Sequence, residues 1–144
     1  MREDFESYLK VLAGFRRLIE TGHKGAIASL GGRPWRVRAV AATGTPVPPG
    51  QLTAKRVAAM FAPDSETHDL GLVILGGEFL AAHCQFPMPQ YNKKWEDWVK
   101  RLGSRHRAAM GMSRATGAEV LILSEGGEIR IARGGRLFPL DSLT

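Results

Sequence analysis

The chain of 144 residues is short of several things, and each shortage removes an option. It has one cysteine, Cys84. A lone thiol forms no internal disulfide and supplies no thiolate metal cluster, so a cytoplasmic setting is expected. No apolar run approaches the roughly 20 residues that cross a bilayer, so no membrane segment is expected. Met1-Arg2-Glu3-Asp4-Phe5 is charged and lacks the apolar core of a signal peptide. There is no internal repeat and no low-complexity tract. Acidic residues are also in the minority, with 14 Asp and Glu against 20 Lys and Arg and a net charge of +6. That balance favours phosphorylated metabolites, nucleic acid or an acidic surface, and equally fits scattered solvated bases. Two basic clusters stand out: Arg33, Arg36 and Arg38, and Lys100, Arg101, Arg105 and Arg107.

What is present reads as one α/β (α+β) domain over residues 1–144. Phe5, Tyr8, Leu9, Leu12, Phe15 and Ile19 recur at helical spacing up to the stop at Thr21-Gly22. Gly25 to Leu30 reads as a strand. Trp35 to Ala41 also reads as a strand, because Val37, Ala39 and Ala41 alternate with Arg36, Arg38 and Val40. The prolines of Thr43 to Gly50 predict a loop, and Gln51 to Phe61 a helix ended by Pro63. Leu70 to Leu75 and Glu78 to Cys84, joined by Gly76-Gly77, predict a hairpin whose first strand lies centrally. Phe86 to Gln90 is a proline-marked loop. Trp95, Trp98 and Leu102 share a short helix face, as core or interface anchors rather than base-stacking groups. Ser104 to Arg114 is a helix with Ser104 as its expected cap. Glu119 to Ser124 and Ile129 to Arg133 are strands around Gly126-Gly127. The sum predicts a central mixed, mostly antiparallel sheet flanked by helices.

Three groups of residues carry chemistry. Gly103-Ser104-Arg105-His106-Arg107 opens a helix. Free backbone N–H groups, a partial positive charge, a hydroxyl and two guanidiniums suit a phosphate chain, although a solvated basic helix start has the same composition. His68-Asp69 precedes an apolar strand, where an imidazole and a carboxylate either hold a divalent metal or orient a hydroxyl, or form an ordinary turn. Ser124-Glu125 ends another apolar strand and is ambiguous alone.

Taken together the three groups are similar to one family. The run from Gly103 to Ser113 resembles the Gly-Thr-Arg-His-Arg motif and following helix of the diadenylate cyclase (DAC) domains. The likeness continues through Thr116, Ala118, Val120 to Leu123 and Ser124-Glu125. Upstream, His68-Asp69-Leu70-Gly71-Leu72-Val73-Ile74 resembles the family's Asp-Gly-Ala strand, and the spacing through Ala81-Ala82 and Cys84 to Phe86-Pro87-Met88 fits as well. The likeness spans about 68 to 136. It implies two ATP-loaded protomers face to face, as a homodimer or higher oligomer. Each ribose 3′-hydroxyl attacks the other ATP's α-phosphate, giving cyclic di-AMP and two pyrophosphates with Mg2+ or Mn2+ assisting. By the same resemblance Asp69 and His106 are catalytic, and His68, Asp69 and Glu125 bind the metal. Leu70, Gly71, Gly103, Ser104, Arg105, His106, Arg107 and Ser124 contact the nucleotide.

The sequence departs from the family at several points. Leu70 stands where the family has glycine, and Gly71 where it has alanine. Ser104 replaces threonine and keeps the hydroxyl. The family's acidic stretch is Arg114-Ala115-Thr116-Gly117, and Glu125 is followed by Gly126 rather than a second glutamate. A more positive pocket should retain nucleotide better than it retains turnover. The alternative function is therefore a catalytically degenerate sensor that binds ATP or another nucleotide. A nucleic-acid module rests on net charge alone and is not expected.

Overall fold

The computed structural model describes residues 5–22, 25–48, 50–61, 71–89, 93–95, 97, 103–124 and 126–140. His68, Asp69, Leu70, Glu125 and most of the expected Trp95–Leu102 helix lie outside the described residues. The elements are α1 (Phe5–Glu20), β1 (Ala26–Leu30), α2 (Pro34–Ala41), β2 (Thr45–Pro46), α3 (Ala54–Met60), β3 (Gly71–Leu75), β4 (Glu78–Cys84), α4 (Ser104–Thr116), β5 (Glu119–Leu123), β6 (Ile129–Arg133) and β7 (Arg136–Pro139). The strands form one sheet in the order β2-β4-β3-β1-β5-β6-β7. Among the described residues only β1 and β3 pair in parallel, and every other pair is antiparallel. The expected mixed, mostly antiparallel sheet is present, and β3 is an interior strand.

Alternation along the strands splits the core into two layers. Ala26, Ala28 and Leu30 of β1 and Leu121 and Leu123 of β5 pack with Val11, Phe15 and Leu18 of α1 and Val57 of α3. Ile27, Val120 and Ile122 pack on the other face with Val37 and Val40 of α2 and Ala109, Met110 and Met112 of α4. In α1 the expected helix is present, but Phe5, Leu9 and Ile19 of its apolar repeat are exposed and the buried line is Val11, Phe15 and Leu18. Gly14 lets α3 approach, since a Cβ there would lie 2.7 Å from the Val57 side chain.

The segment expected as a strand over Trp35 to Ala41 is the helix α2. Its period-two alternation is accidental. Val37 and Val40, three apart, are its buried residues, while Trp35, Arg36, Arg38 and Ala39 are exposed. Pro34 at the first turn favours a helix start, and Gly31 and Gly32 at φ 71° and 99° end β1 sharply before it. The helix α3 starts later than expected, at Ala54, because the Thr53 hydroxyl accepts the Arg56 N–H and caps it. Two short strands were not expected from the sequence: β2, inside the proline-marked loop, and β7, after Gly134-Gly135.

Candidate active site at the N-terminus of α4

Sheet direction brings distant parts of the chain to one end. Leu72 pairs with Ala28 in parallel, and Leu123 pairs with Ala26 antiparallel. The starts of β1 and β3 and the end of β5 therefore share an edge. The strands β3 and β5 are not neighbours. The strand β1 runs between them, separating them by two strand spacings, about 10 Å.

The first turn of α4 sits over this same end. Its cap is Gly103 in an extended conformation, with no side-chain cap bond, and Ser104 is the first helical residue rather than the cap. Arg107 N–H reaches the Gly103 carbonyl at 3.3 Å. The N–H groups of Ser104, Arg105 and His106 precede the first intrahelical bond and point out of the helix end. No acidic residue stands in the first turn.

The side chains of this turn go to three places. The Arg105 guanidinium lies against Gly25, just before β1. A Cβ on Gly25 would fall 2.6 Å from the Arg105 Cζ and push the flexible guanidinium aside, and Gly25 has φ +93°, the backbone conformation that calls for glycine. Arg107 turns the other way. Its Nη2 donates to the Pro89 carbonyl at 3.0 Å, its guanidinium lies 6.0 Å from the Trp95 ring, and its buried Nε–H has no partner among the described residues. His106 points inward and is buried. Its Nε2 is 3.2 Å from Nη1 of Arg130 on β6, and Arg130 is paired with Glu128. Burial, then Arg130, then Arg105 lower the His106 pKa to about 4, so the imidazole is neutral at pH 7.

Ser124 organises the turn after β5. Its N–H donates to the Glu128 carbonyl at 2.8 Å, and its Oγ accepts the Glu128 N–H at 3.1 Å. Gly71 opens β3 beneath the Phe86 ring, where a Cβ would come within 2.6 Å of a ring carbon. Phe86 begins the proline-marked segment that crosses α4. Gly111 is glycine because a Cβ there would collide with the Pro87 carbonyl. A groove of about 530 Å³ between Pro87–Pro89, Trp95 and the Met110–Arg114 side of α4 lies away from the helix start. No cluster of three or more His, Cys, Asp or Glu occurs among the described residues. The expected metal ligands His68, Asp69 and Glu125 all lie outside them.

The structure thus gathers Gly71, Gly103, Ser104, Arg105, His106 and Ser124 around one end of the sheet. Sequence reasoning missed Gly25, Glu128 and Arg130. A glycine directly before an apolar strand was the available signal for the first. An arginine alternating with Ile129 and Ile131 was the signal for the last.

A mixed sheet with helices on both faces and a basic helix start at one sheet end defines an α/β class of domain with an anion-compatible helix end. Residues 16–137 match the family described as DAC, DisA bacterial checkpoint controller nucleotide-binding, and the chain belongs to that family. It is 32% identical over 97 residues to the diadenylate cyclase of Listeria monocytogenes serotype 1/2a (strain 10403S), covering 67% of this chain and 34% of that protein. It is 32% identical over 93 residues to the cyclic di-AMP synthase CdaS of Bacillus subtilis (strain 168), covering 64% of this chain and 42% of that protein. The chain therefore spans between about a third and two fifths of the length of these relatives. The fold resembles DacA from Staphylococcus aureus, N166C/T172C double mutant, with a TM-score of 0.76 at 24% identity, covering 90% of this chain and 83% of that one. Among the described residues, no helix is long and apolar enough to cross a membrane.

Proposed function

We propose that this domain binds ATP at the α4 N-terminus and condenses two ATP molecules into cyclic di-AMP and two pyrophosphates. The observation that carries this reading is the first turn of α4, which has no acidic residue and a glycine cap without a side-chain acceptor, with Arg105 seated on Gly25 at the shared edge of β1, β3 and β5. A helix start with spare N–H groups and flanking guanidiniums suits a triphosphate. Gly103, Ser104 and Arg105 would bind the phosphates, Arg107 would join them on leaving the Pro89 carbonyl, His106 would act with them, and Ser124, Leu70 and Gly71 would border the nucleotide. Asp69 would activate the ribose hydroxyl. His68, Asp69 and Glu125 make an imidazole and carboxylate donor set that suits Mg2+ or Mn2+, and the metal would neutralise phosphate charge. The direct test is incubation with ATP and Mn2+ followed by chromatography for cyclic di-AMP. Because each protomer would supply half of the reaction, specific activity should rise with protein concentration until dimers or larger assemblies saturate.

A second reading, nucleotide binding without turnover, is favoured by the packing at Gly71. The family's alanine does not fit beneath Phe86 as this chain is packed. Restoring the family motif by Leu70→Gly with Gly71→Ala therefore requires Phe86 to shift. ATP binding by calorimetry without any cyclic di-AMP would select this second reading.

A further inference from the structure

A cation sits under the first turn of α4 where electrostatics alone would not put one. Along β6, Ile129 and Ile131 face the α1 layer, while Ala132 faces the layer that holds α4. By the same alternation Arg130 faces α4. It lies beneath a helix start whose partial charge is already positive, and Arg105 and it both act on the same imidazole. Its side chain is only 16% exposed. Contacts that help to offset that cost include two among the described residues. Nη2 pairs with the Glu128 carboxylate, and Nη1 lies 3.2 Å from His106 Nε2.

A guanidinium has donors and no acceptor. The contact with Nε2 is therefore a hydrogen bond only if that nitrogen is unprotonated and accepts. We infer that Arg130, balanced by Glu128, is a positioning residue that locks His106 as the neutral tautomer carrying its proton on Nδ1. In that state Nε2 is occupied and cannot serve as a base or a metal ligand. His106 then offers one polar group, a fixed Nδ1–H donor. The charged groups around the ring act in the same sense: Arg130 from β6 and Arg105 from α4 both oppose a second positive charge, as does burial. Toward a triphosphate, His106 would supply a neutral hydrogen bond that does not change across physiological pH. That last step rests on the proposed ATP site, whereas the tautomer does not.

The tautomer is measurable in the wild-type protein without ligand. The chain has four histidines, and His106→Gln identifies the relevant signals in a 15N-histidine spectrum. At pH 7 the expected pattern is a pyridine-type Nε2 and a pyrrole-type Nδ1, with no titration until about pH 4. A protonated Nε2 in the wild type overturns the inference even if no variant folds. Arg130→Ala should raise the His106 midpoint and mix the two tautomers, and Arg130→Lys, which keeps a donor, should restore the wild-type pattern. An unchanged tautomer and midpoint in folded Arg130→Ala also overturns it. The functional consequence is read from ATP affinity by calorimetry at pH 8 and pH 5.5. Relative to wild type, in which the ligand's own titration is the same, Arg130→Ala should gain about fivefold in affinity on acidification as His106 becomes charged. Parallel pH profiles would overturn that consequence. No ATP binding by wild type, with the tautomer as expected, would sink the ATP site and leave the Arg130 assignment standing.

Discussion

The two ends of α4 are built from similar residues to opposite purposes. At the C-terminal end the Ser113, Ala115 and Thr116 carbonyls all accept hydrogen bonds. Gly117 adopts the left-handed conformation at φ +77° and its N–H reaches the Ser113 carbonyl. Thr116 Oγ1 donates to the Met112 carbonyl at 2.7 Å and accepts from the Ala118 N–H. Arg33 and Arg36 each donate to the Ala115 carbonyl at 3.2 Å, placing cations where the helix field welcomes them. At the N-terminal end the cap residue Gly103 brings no side-chain acceptor, and among the described residues Arg105, Arg107 and Arg130 stand where the field opposes them. Arginine at one end holds the helix together. At the other it raises the electrostatic cost of the fold, a cost that an anion would reverse.

The largest expected effect comes from the unfavourable end. In the unfolded chain His106 titrates near its ordinary 6.5 and in the fold near 4. Above 6.5 both states are neutral and its full contribution to stability is present. As pH falls through that window the unfolded chain takes the proton first, and stability drops until the folded imidazole also protonates near pH 4. The loss attributable to His106 is about 3 kcal/mol. Urea unfolding at pH 7.5 and pH 4.5 should show a smaller acid-induced loss, by roughly that amount, in His106→Gln. Equal losses in the two proteins would mean that the ring is not held neutral.

The next effect separates binding from folding. Arg105→Ala removes one charge-assisted contact, so ATP affinity by calorimetry should fall about 10- to 100-fold. Its stability should be unchanged or slightly higher, because a repulsive charge has gone from the helix start. Unchanged affinity would remove Arg105 from the site.

Much of this contrast was legible in the sequence, and the unread parts have physical causes. The Arg105-His106-Arg107 run, the glycine turns and the apolar strands are local signals, and they placed α4, β1 and the β3–β4 hairpin. Trp35 to Ala41 was misread because alternating Ala and Val satisfy strand and helix periods alike, and only Val37 and Val40 pack into the core. Gly103 rather than Ser104 is the cap because the extended backbone falls at 103 and Ser104 is already helical. The Gly25–Arg105 and His106–Arg130 contacts join residues far apart in sequence and on different elements. No local pattern encodes them. The division of Arg33 and Arg36 from Arg105 into different roles also required knowing which helix end each reaches.

The C-terminal end should respond in stability alone. Gly117→Ala forces a Cβ into the left-handed region, at a cost of about 1–2 kcal/mol by thermal or urea unfolding. ATP affinity should stay within about twofold, below the scale of one lost hydrogen bond. A larger change in affinity than in stability would show that the two ends are coupled.

The smallest effect is expected from Arg33→Ala combined with Arg36→Ala. Both arginines are exposed, both bonds to Ala115 are long, and Arg36 also stacks on the exposed Trp35 ring at 4.5 Å. Each surface interaction with a helix terminus contributes about 0.3–1 kcal/mol at low salt. The pair together should therefore destabilise by roughly 1 kcal/mol, and by less at high ionic strength, where the field is screened. The effect on ATP should be smaller still. The 13 residues of α4 separate its ends by about 20 Å, more than two screening lengths at physiological salt. If the double variant loses ATP affinity as strongly as Arg105→Ala, the anion is held by the α2 arginines and the open helix start is not the site. If it loses only a little stability, in a salt-dependent way, the same residue type is doing separate work at the two ends of one helix.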